Sequence, residues 1–429
     1  MYTTEYTPVV SKKQANHLTV INGDSQPPQI PAWAKGSKAE KVIEALLNDP
    51  ALQDLSYNEL SGKIETRTGS KLPWKATSLS EPGSYDALEI YLNAETGASD
   101  ETIKKALGAM PSFRSYNPIK DYLVDAFRKW DKKFRIDTLL IDYMGAEDTE
   151  LVRQMTSKTL IAAVARALNP GYKHDTMLVL QGGQGLGKSM LVERLGGEWA
   201  SDSLSMSDMA DAKRAHEKIA GKWTVEIAEL AGMNKTEANA VKSFLSKTVD
   251  RYRPAYAREA ADFPRRCVFI GTTNDDQYLN DPTGNRRYWP VKCSPNRKMA
   301  PWDLTTEEVR HIWAEAYCRY LDSESTQLSE EMKEEARKAQ DTVRNADEWE
   351  GLIEDWINQP GPKTGPFAKL GDSVCPAQIW IECLGGDKDK LNRRESNRII
   401  SCLKALGYEK SSKRVTVKGY GQQRPWVKP

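Results

Sequence analysis

The sequence predicts an α/β nucleotide-binding core, preceded by a helical region and followed by a basic domain of helices and short ribbons. Three observations carry this reading. The run Gly-Gly-Gln-Gly-Leu-Gly-Lys-Ser, Gly182 to Ser189, follows directly on the apolar stretch Thr176 to Gln181. From His174 to about Leu321, short apolar strands alternate with helical patterns, as in a sheet covered by helices. From Asp387 to Pro429, twelve Lys or Arg face four Asp or Glu, an excess of eight positive charges in a chain whose total is +1.

Taken in order, residues 1–36 are polar and end in Gln26-Pro-Pro-Gln-Ile-Pro31, which reads as a flexible lead-in. Residues 37–170 form a helical region, with spacing such as Val42, Ile43, Ala45, Leu46 and Leu47, and a long helix from Asp148 to Leu168 that Asn169-Pro-Gly171 stops. Residues 171–325 are the core. Residues 326–368 are an acidic helical connector with a hinge at Pro360 to Pro366. Residues 369–429 carry helices at Ala377 to Leu384 and Arg394 to Leu406, a glycine cap at Gly407, and β-prone runs around Val415-Thr-Val417 and Trp426-Val427. Two helices and a basic ribbon read as a winged helix, a helix-turn-helix variant that docks on duplex DNA. Arg393, Arg394 and Arg398 are its expected DNA contacts.

The glycine-rich run has the phosphate-binding pattern. Gly182, Gly183, Gln184, Gly185, Leu186 and Gly187 supply backbone N–H groups to phosphate oxygens, Lys188 reaches the β- and γ-phosphates, and the Ser189 hydroxyl ligates Mg²⁺. The following Met190 to Leu195 reads as a helix whose N-terminal dipole adds to the anion site. ATP and Mg²⁺ are therefore the expected cofactors. A second strand, Lys222 to Leu230, carries Glu226 and ends at Glu229; one carboxylate would help hold the metal and one polarise water. Glu229, at the strand's end, is the first choice for the catalytic acid and Glu226 the second. A third strand, Arg266 to Asn274, ends in an amide that can bond both the γ-phosphate and the attacking water.

Further on, turn chemistry at Pro282 and Gly284 places Arg286 and Arg287 at the start of another strand. Beside a phosphate site, such a pair suggests an arginine finger, worth ~10³ to 10⁵ in rate. Between the acidic and amide strands, Asp250 to Arg266 alternates basic and aromatic residues over a length suited to a hairpin. That mix holds phosphates and stacks bases without reading sequence, and Arg251, Arg253 and Arg258 are its expected DNA contacts.

These motifs together resemble the virulence-associated protein E family of phages and mobile genomic islands, a branch related to superfamily 3 helicases within the AAA+ ATPases. The similar residues are Tyr116-Asn-Pro-Ile-Lys-Asp-Tyr-Leu123, Lys129-Trp-Asp131, Arg135-Ile-Asp137, Asn169-Pro-Gly171, Gly182 to Ser189, Trp223 to Leu230, Thr272-Thr-Asn274 and Asp281 to Pro290. The resemblance covers roughly residues 110 to 295. It implies an AAA+ P-loop ATPase core in a ring, expected as a hexamer, that encircles single-stranded DNA and translocates in the 3′ to 5′ sense while the element replicates. An arginine finger would then come from the neighbouring subunit. The family's adjacent acidic pair is here Glu-x-x-Glu, which leaves the division of roles between Glu226 and Glu229 open. Many relatives also carry a primase, whose metal-binding Asp-x-Asp is missing from residues 1–170.

Composition narrows the classes further. The six cysteines, Cys267, Cys293, Cys318, Cys375, Cys383 and Cys402, show no Cys-x-x-Cys spacing, which argues against structural zinc. No signal peptide opens the sequence and no run of 18 apolar residues occurs, so a cytoplasmic protein outside the membrane is expected. Two functions fit: an ATP-driven helicase motor, working with single- and double-stranded DNA and other replication proteins, or a non-unwinding initiator or regulator that uses ATP as an assembly switch. A small-molecule kinase would have no use for the hairpin, Asn274 or the arginine pair.

Overall fold

The computed structural model describes residues 29–69, 72–76, 79, 81–230, 235–253, 259–279, 285–359, 373–417 and 419–428. The chain divides into two compact units. One comprises residues up to Leu230 with Ala240–Asn274 and Arg287–Ala336; the other comprises Ala231–Asn239, Asp275–Arg286 and Arg337–Pro429.

The first unit begins with helices Glu40–Asn48, Ser84–Thr96 and Asp100–Gly108, whose apolar faces share one core of Val42, Ile43, Leu46, Leu88, Leu92 and Ile103. Helical spacing alone does not describe this region, because a small sheet is set into it. Strands β1 (Leu55–Asn58) and β2 (Lys63–Thr66) pair antiparallel, and β3 (Ser115–Tyr116) adds in parallel beside β1. Arg114, just before β3, donates to the carbonyls of Leu46 and Leu47 and so satisfies the end of the first helix.

The remainder of this unit is organised by five parallel strands: β4 (Met177–Gln181), β5 (Ala200–Ser201), β6 (Thr224–Ile227), β9 (Val268–Thr273) and β10 (Tyr288–Lys292), in the spatial order β10-β4-β9-β6-β5. Every residue of β4, β6 and β9 is buried, which explains their mostly apolar runs, with the polar Gln181, Glu226, Thr272 and Thr273 at or near the strand ends. The expected long helix is Glu150–Leu168, capped by the Thr149 hydroxyl and buried over most of its length. Near its end, the buried Arg166 donates to the carbonyls of Tyr172, His174 and Cys267, tying together the starts of β4 and β9. Burial lowers the Arg166 pKa to about 10, and that of His174 to about 3, so the imidazole is neutral.

The expected hairpin is present as β7 (Val249–Tyr252) paired with β8 (Ala261–Pro264). An Asp250–Arg265 ion pair, buried on both sides, secures its base through bonds of 2.7 and 2.8 Å, and the guanidinium lies 3.9 Å over the Phe244 ring. Arg265 Nη1 also donates to the Phe244 carbonyl, so the buried charge is both paired and hydrogen-bonded.

In the second unit, helices Glu348–Asn358 and Arg393–Ala405 and a short helical stretch, Pro376–Gln378 running into a π-turn at Ile379–Cys383, surround Ile353, Ile379, Ile399, Leu403 and Trp426. Strands β11 (Ser373–Val374), β12 (Glu409–Lys410), β13 (Val415–Val417), β14 (Gly421–Gln423) and β15 (Trp426–Val427) form a β11-β15-β12 sheet and a β13-β14 hairpin. The Tyr420 hydroxyl between β13 and β14 bonds Glu382 at 2.7 Å, fastening that hairpin to the helical layer. Gly407, with φ of +83°, ends the second helix as expected, and the Tyr408 N–H bonds the Leu403 carbonyl. Among the described residues no helix is long and apolar enough to cross a membrane.

Candidate nucleotide site

The glycine-rich run lies between the end of β4 and the helix Lys188–Gly196. Gly187, which immediately precedes that helix, has φ of +82°, and a Cβ there would sit 3.0 Å from Pro301 Cγ. At Gly182 a Cβ would come within 2.7 Å of the Cys293 carbonyl oxygen. Any side chain at either position would strain or displace the loop.

Three strand ends converge on this loop. Lys188, largely buried, donates through Nζ to the carbonyls of Gly182 (2.7 Å) and Gly183 (2.8 Å) and to Asn274 Oδ1 (2.9 Å). Burial lowers its pKa, an effect opposed by Cys293 and Glu226. The buried carboxylate of Glu226 accepts at Oε1 from Ser189 Oγ and from Thr272 Oγ1, each at 2.6 Å. Glu229 occupies the turn after β6 in a left-handed conformation (φ of +55°) and is exposed. Backbone of this kind in a non-glycine residue costs on the order of 1 kcal/mol and gathers at functional sites. With Gln184, Gly185, Leu186 and Asn274, Glu229 lines an open cleft of about 290 Å³ over the loop.

Among the described residues, no three ligating side chains cluster as a ready-made metal cage. A hydroxyl and a carboxylate held in contact nevertheless suit Mg²⁺, a hard cation that takes one or two protein oxygens and completes its shell with phosphate and water. Ser189 and Glu226 would hold it, with Glu229 at the cleft's exposed wall.

Arg287 is elsewhere. In the parallel register Tyr288 lies opposite Met177 and Lys292 opposite Gln181, so Arg287 sits at the end of the sheet remote from the loop, roughly 20 Å away along the strand. Its Nε donates to Ser246 Oγ at 2.8 Å. Arg286 is exposed and belongs to the second compact unit. On the hairpin, Arg251 is exposed and 3.6 Å from Asp262, and Arg253 is exposed. Arg258 lies outside the described residues. In the second unit Arg393 and Arg394 are exposed on the first turn of their helix. Arg398, half-buried, is paired within that unit: it bonds Asp347 through Nε and Nη2, both at 2.8 Å, and its guanidinium lies 3.8 Å over Trp349.

Two contributors go beyond the residues given a role from sequence. Thr272 bonds Glu226, and its place two residues before Asn274 was a usable signal. Arg297, which donates to the Leu186 carbonyl at 2.6 Å, lies in a polar stretch that carries no motif.

Fold and site define a mixed α/β protein with a glycine-rich loop, a lysine, a buried carboxylate and an amide gathered at one end of a parallel sheet. The virulence-associated protein E-like domain matches residues 124–345, more than half of the sequence. The chain belongs to that family. Among solved structures it is similar to the A form of the apo C-terminal region of NrS-1 (residues 305–718), with 17% identity over 71% of this chain and 78% of that one and a TM-score of 0.39. A second A-form structure of the NrS-1 C-terminal region has 15% identity over 87% of this chain and 96% of that one, with a TM-score of 0.38. No curated protein matches the chain.

Proposed function

We propose that this chain is an ATP-hydrolysing motor of the AAA+ class, a superfamily 3-like DNA helicase acting in replication of a phage or mobile genomic island. The supporting observation is the convergence of three strand ends: Lys188 on Asn274 at 2.9 Å, and Ser189 and Thr272 on Glu226 at 2.6 Å. In this reading the loop's N–H groups and Lys188 bind the triphosphate tail. Ser189 and Glu226 hold Mg²⁺, whose chemistry is to neutralise charge on the transferring phosphoryl group. Glu229 takes a proton from the attacking water, which Asn274 positions. Arg287, remote from the loop of its own chain, would with Arg286 serve the site of a neighbouring copy in a hexameric ring. The hairpin arginines Arg251, Arg253 and Arg258 would follow a single strand, and the winged-helix-like second unit would use Arg393 and Arg394 on a duplex.

Purified protein should hydrolyse ATP in a DNA-stimulated manner and unwind a forked duplex, and Lys188→Ala should abolish both. Hydrolysis with no unwinding of any fork would instead favour the assembly-switch initiator. Failure to bind ATP at all would remove the proposal.

A further inference from the structure

The segment leaving β10 is folded back on the phosphate loop. The Cys293 N–H bonds the Gln181 carbonyl, Pro301 packs on Gly187, and Arg297 Nη1 donates to the Leu186 carbonyl at 2.6 Å. The Arg297 guanidinium is itself oriented by the Trp302 ring, 4.6 Å from its centroid. Trp302 is about half exposed, at 48%, and its carbonyl accepts from Arg194, two turns along the helix that follows the loop. Among the described residues no carboxylate pairs with Arg297, so its hydrogen bond to the loop is the polar contact that explains its placement.

We infer that Arg297 is a positioning residue of the nucleotide site: by holding the Leu186 carbonyl outward, it turns the Gly187 N–H of the same peptide unit toward the phosphates. The reason is covalent. The peptide is planar and trans, so its C=O and N–H point in opposite directions, and fixing one aims the other. The Gly187 backbone, at φ of +82°, permits either orientation at little cost, so the loop's own residues do not decide it. An arginine suits the task because its planar fork can bond a carbonyl while stacking on an indole, which a lysine ammonium cannot do in the same way.

The inference rests on the nucleotide-binding reading above, and its test separates the two. Binding of the fluorescent analogue mant-ATP with Mg²⁺ would be measured on the full chain for wild type, Lys188→Ala, Arg297→Met, Arg297→Lys and Trp302→Ala, together with KM, kcat and thermal midpoint. Arg297→Met keeps the stem against Trp302 but removes the donors. It should weaken mant-ATP binding and raise KM by about tenfold, the equivalent of one well-made hydrogen bond to phosphate. The effect on kcat should be smaller, because the lost contact serves ground state and transition state alike. Arg297→Lys should recover part of the affinity, and Trp302→Ala, at a half-exposed site, should weaken binding by a smaller factor. Should Arg297→Met not fold, Trp302→Ala carries the test: unaltered mant-ATP affinity there overturns the inference. If wild type binds and Lys188→Ala does not, while Arg297→Met binds like wild type, the positioning role alone is wrong. If wild type does not bind mant-ATP, the nucleotide reading and this inference fall together.

Discussion

Glu226 and Glu229 are three residues apart, yet their surroundings differ sharply: one is buried against two hydroxyls, the other stands exposed at the cleft wall. Glu226→Gln should therefore weaken Mg²⁺-dependent nucleotide binding, measured as a higher Mg²⁺ requirement for mant-ATP. Glu229→Gln should bind normally and lose turnover by ~10² or more, the usual worth of a positioned general base. Exchange of these two phenotypes would exchange the roles. A second residue-scale consequence concerns acid stability. His174 has a pKa near 3 when folded against 6.5 in its ordinary state, so above pH 6.5 it is neutral in both folded and unfolded chains. As pH falls below 6.5 only the unfolded chain takes up the proton, and stability falls by up to about 1.4 kcal/mol per pH unit until the folded pKa is reached. Urea midpoints at pH 7.5 and 5.5 should therefore draw apart less in His174→Gln than in wild type. Equal separations would show that the histidine is not buried as a neutral group.

Among the elements, the β7-β8 hairpin has a locked base and exposes two arginines beside Glu259 and Asp262. Its Asp250–Arg265 pair is a fold contact, whereas Arg251 and Arg253 are exposed. Replacing the latter two by Ala should reduce DNA-stimulated turnover and lower the salt dependence of single-strand binding by ~0.7 per lost phosphate contact, while basal ATP hydrolysis survives. Loss of basal hydrolysis would assign them to the fold. In the second unit, Arg393→Ala with Arg394→Ala should weaken binding to duplex DNA with little change in thermal midpoint; unchanged duplex affinity in a titration would leave this helix without a DNA role. The core strands and their helices were legible because each is a local pattern: an apolar run, a glycine at a turn, a capping threonine. The β1-β2-β3 sheet was not, since β3 has two residues and joins β1 across the helices Ser84–Thr96 and Asp100–Gly108. Long-range ion pairs were equally silent. Arg398 reads as a groove contact in a basic helix, and its ion pair with Asp347, 51 residues away, had no local signal.

For the whole molecule, the register of β10 on β4 sets Arg287 and the phosphate loop at opposite ends of one sheet. Subunits lacking Arg286 and Arg287 should then regain ATPase activity when mixed with inactive Lys188→Ala subunits, because a mixed interface pairs an intact loop with intact arginines. No recovery between subunits shown to exchange would exclude a shared site. The same register has a consequence for counting. A two-fold dimer could exchange the two ends reciprocally only if arginine end and loop end both lie in one self-complementary patch, whereas a head-to-tail contact needs no such shared patch. In the proposed ring copies would stack head to tail, and any such row that stays open has one terminal loop with no donor and one terminal arginine with no loop. Among head-to-tail rows only a closed circle leaves neither orphan, so turnover per chain in this arrangement would climb with assembly and level off when the last gap shuts.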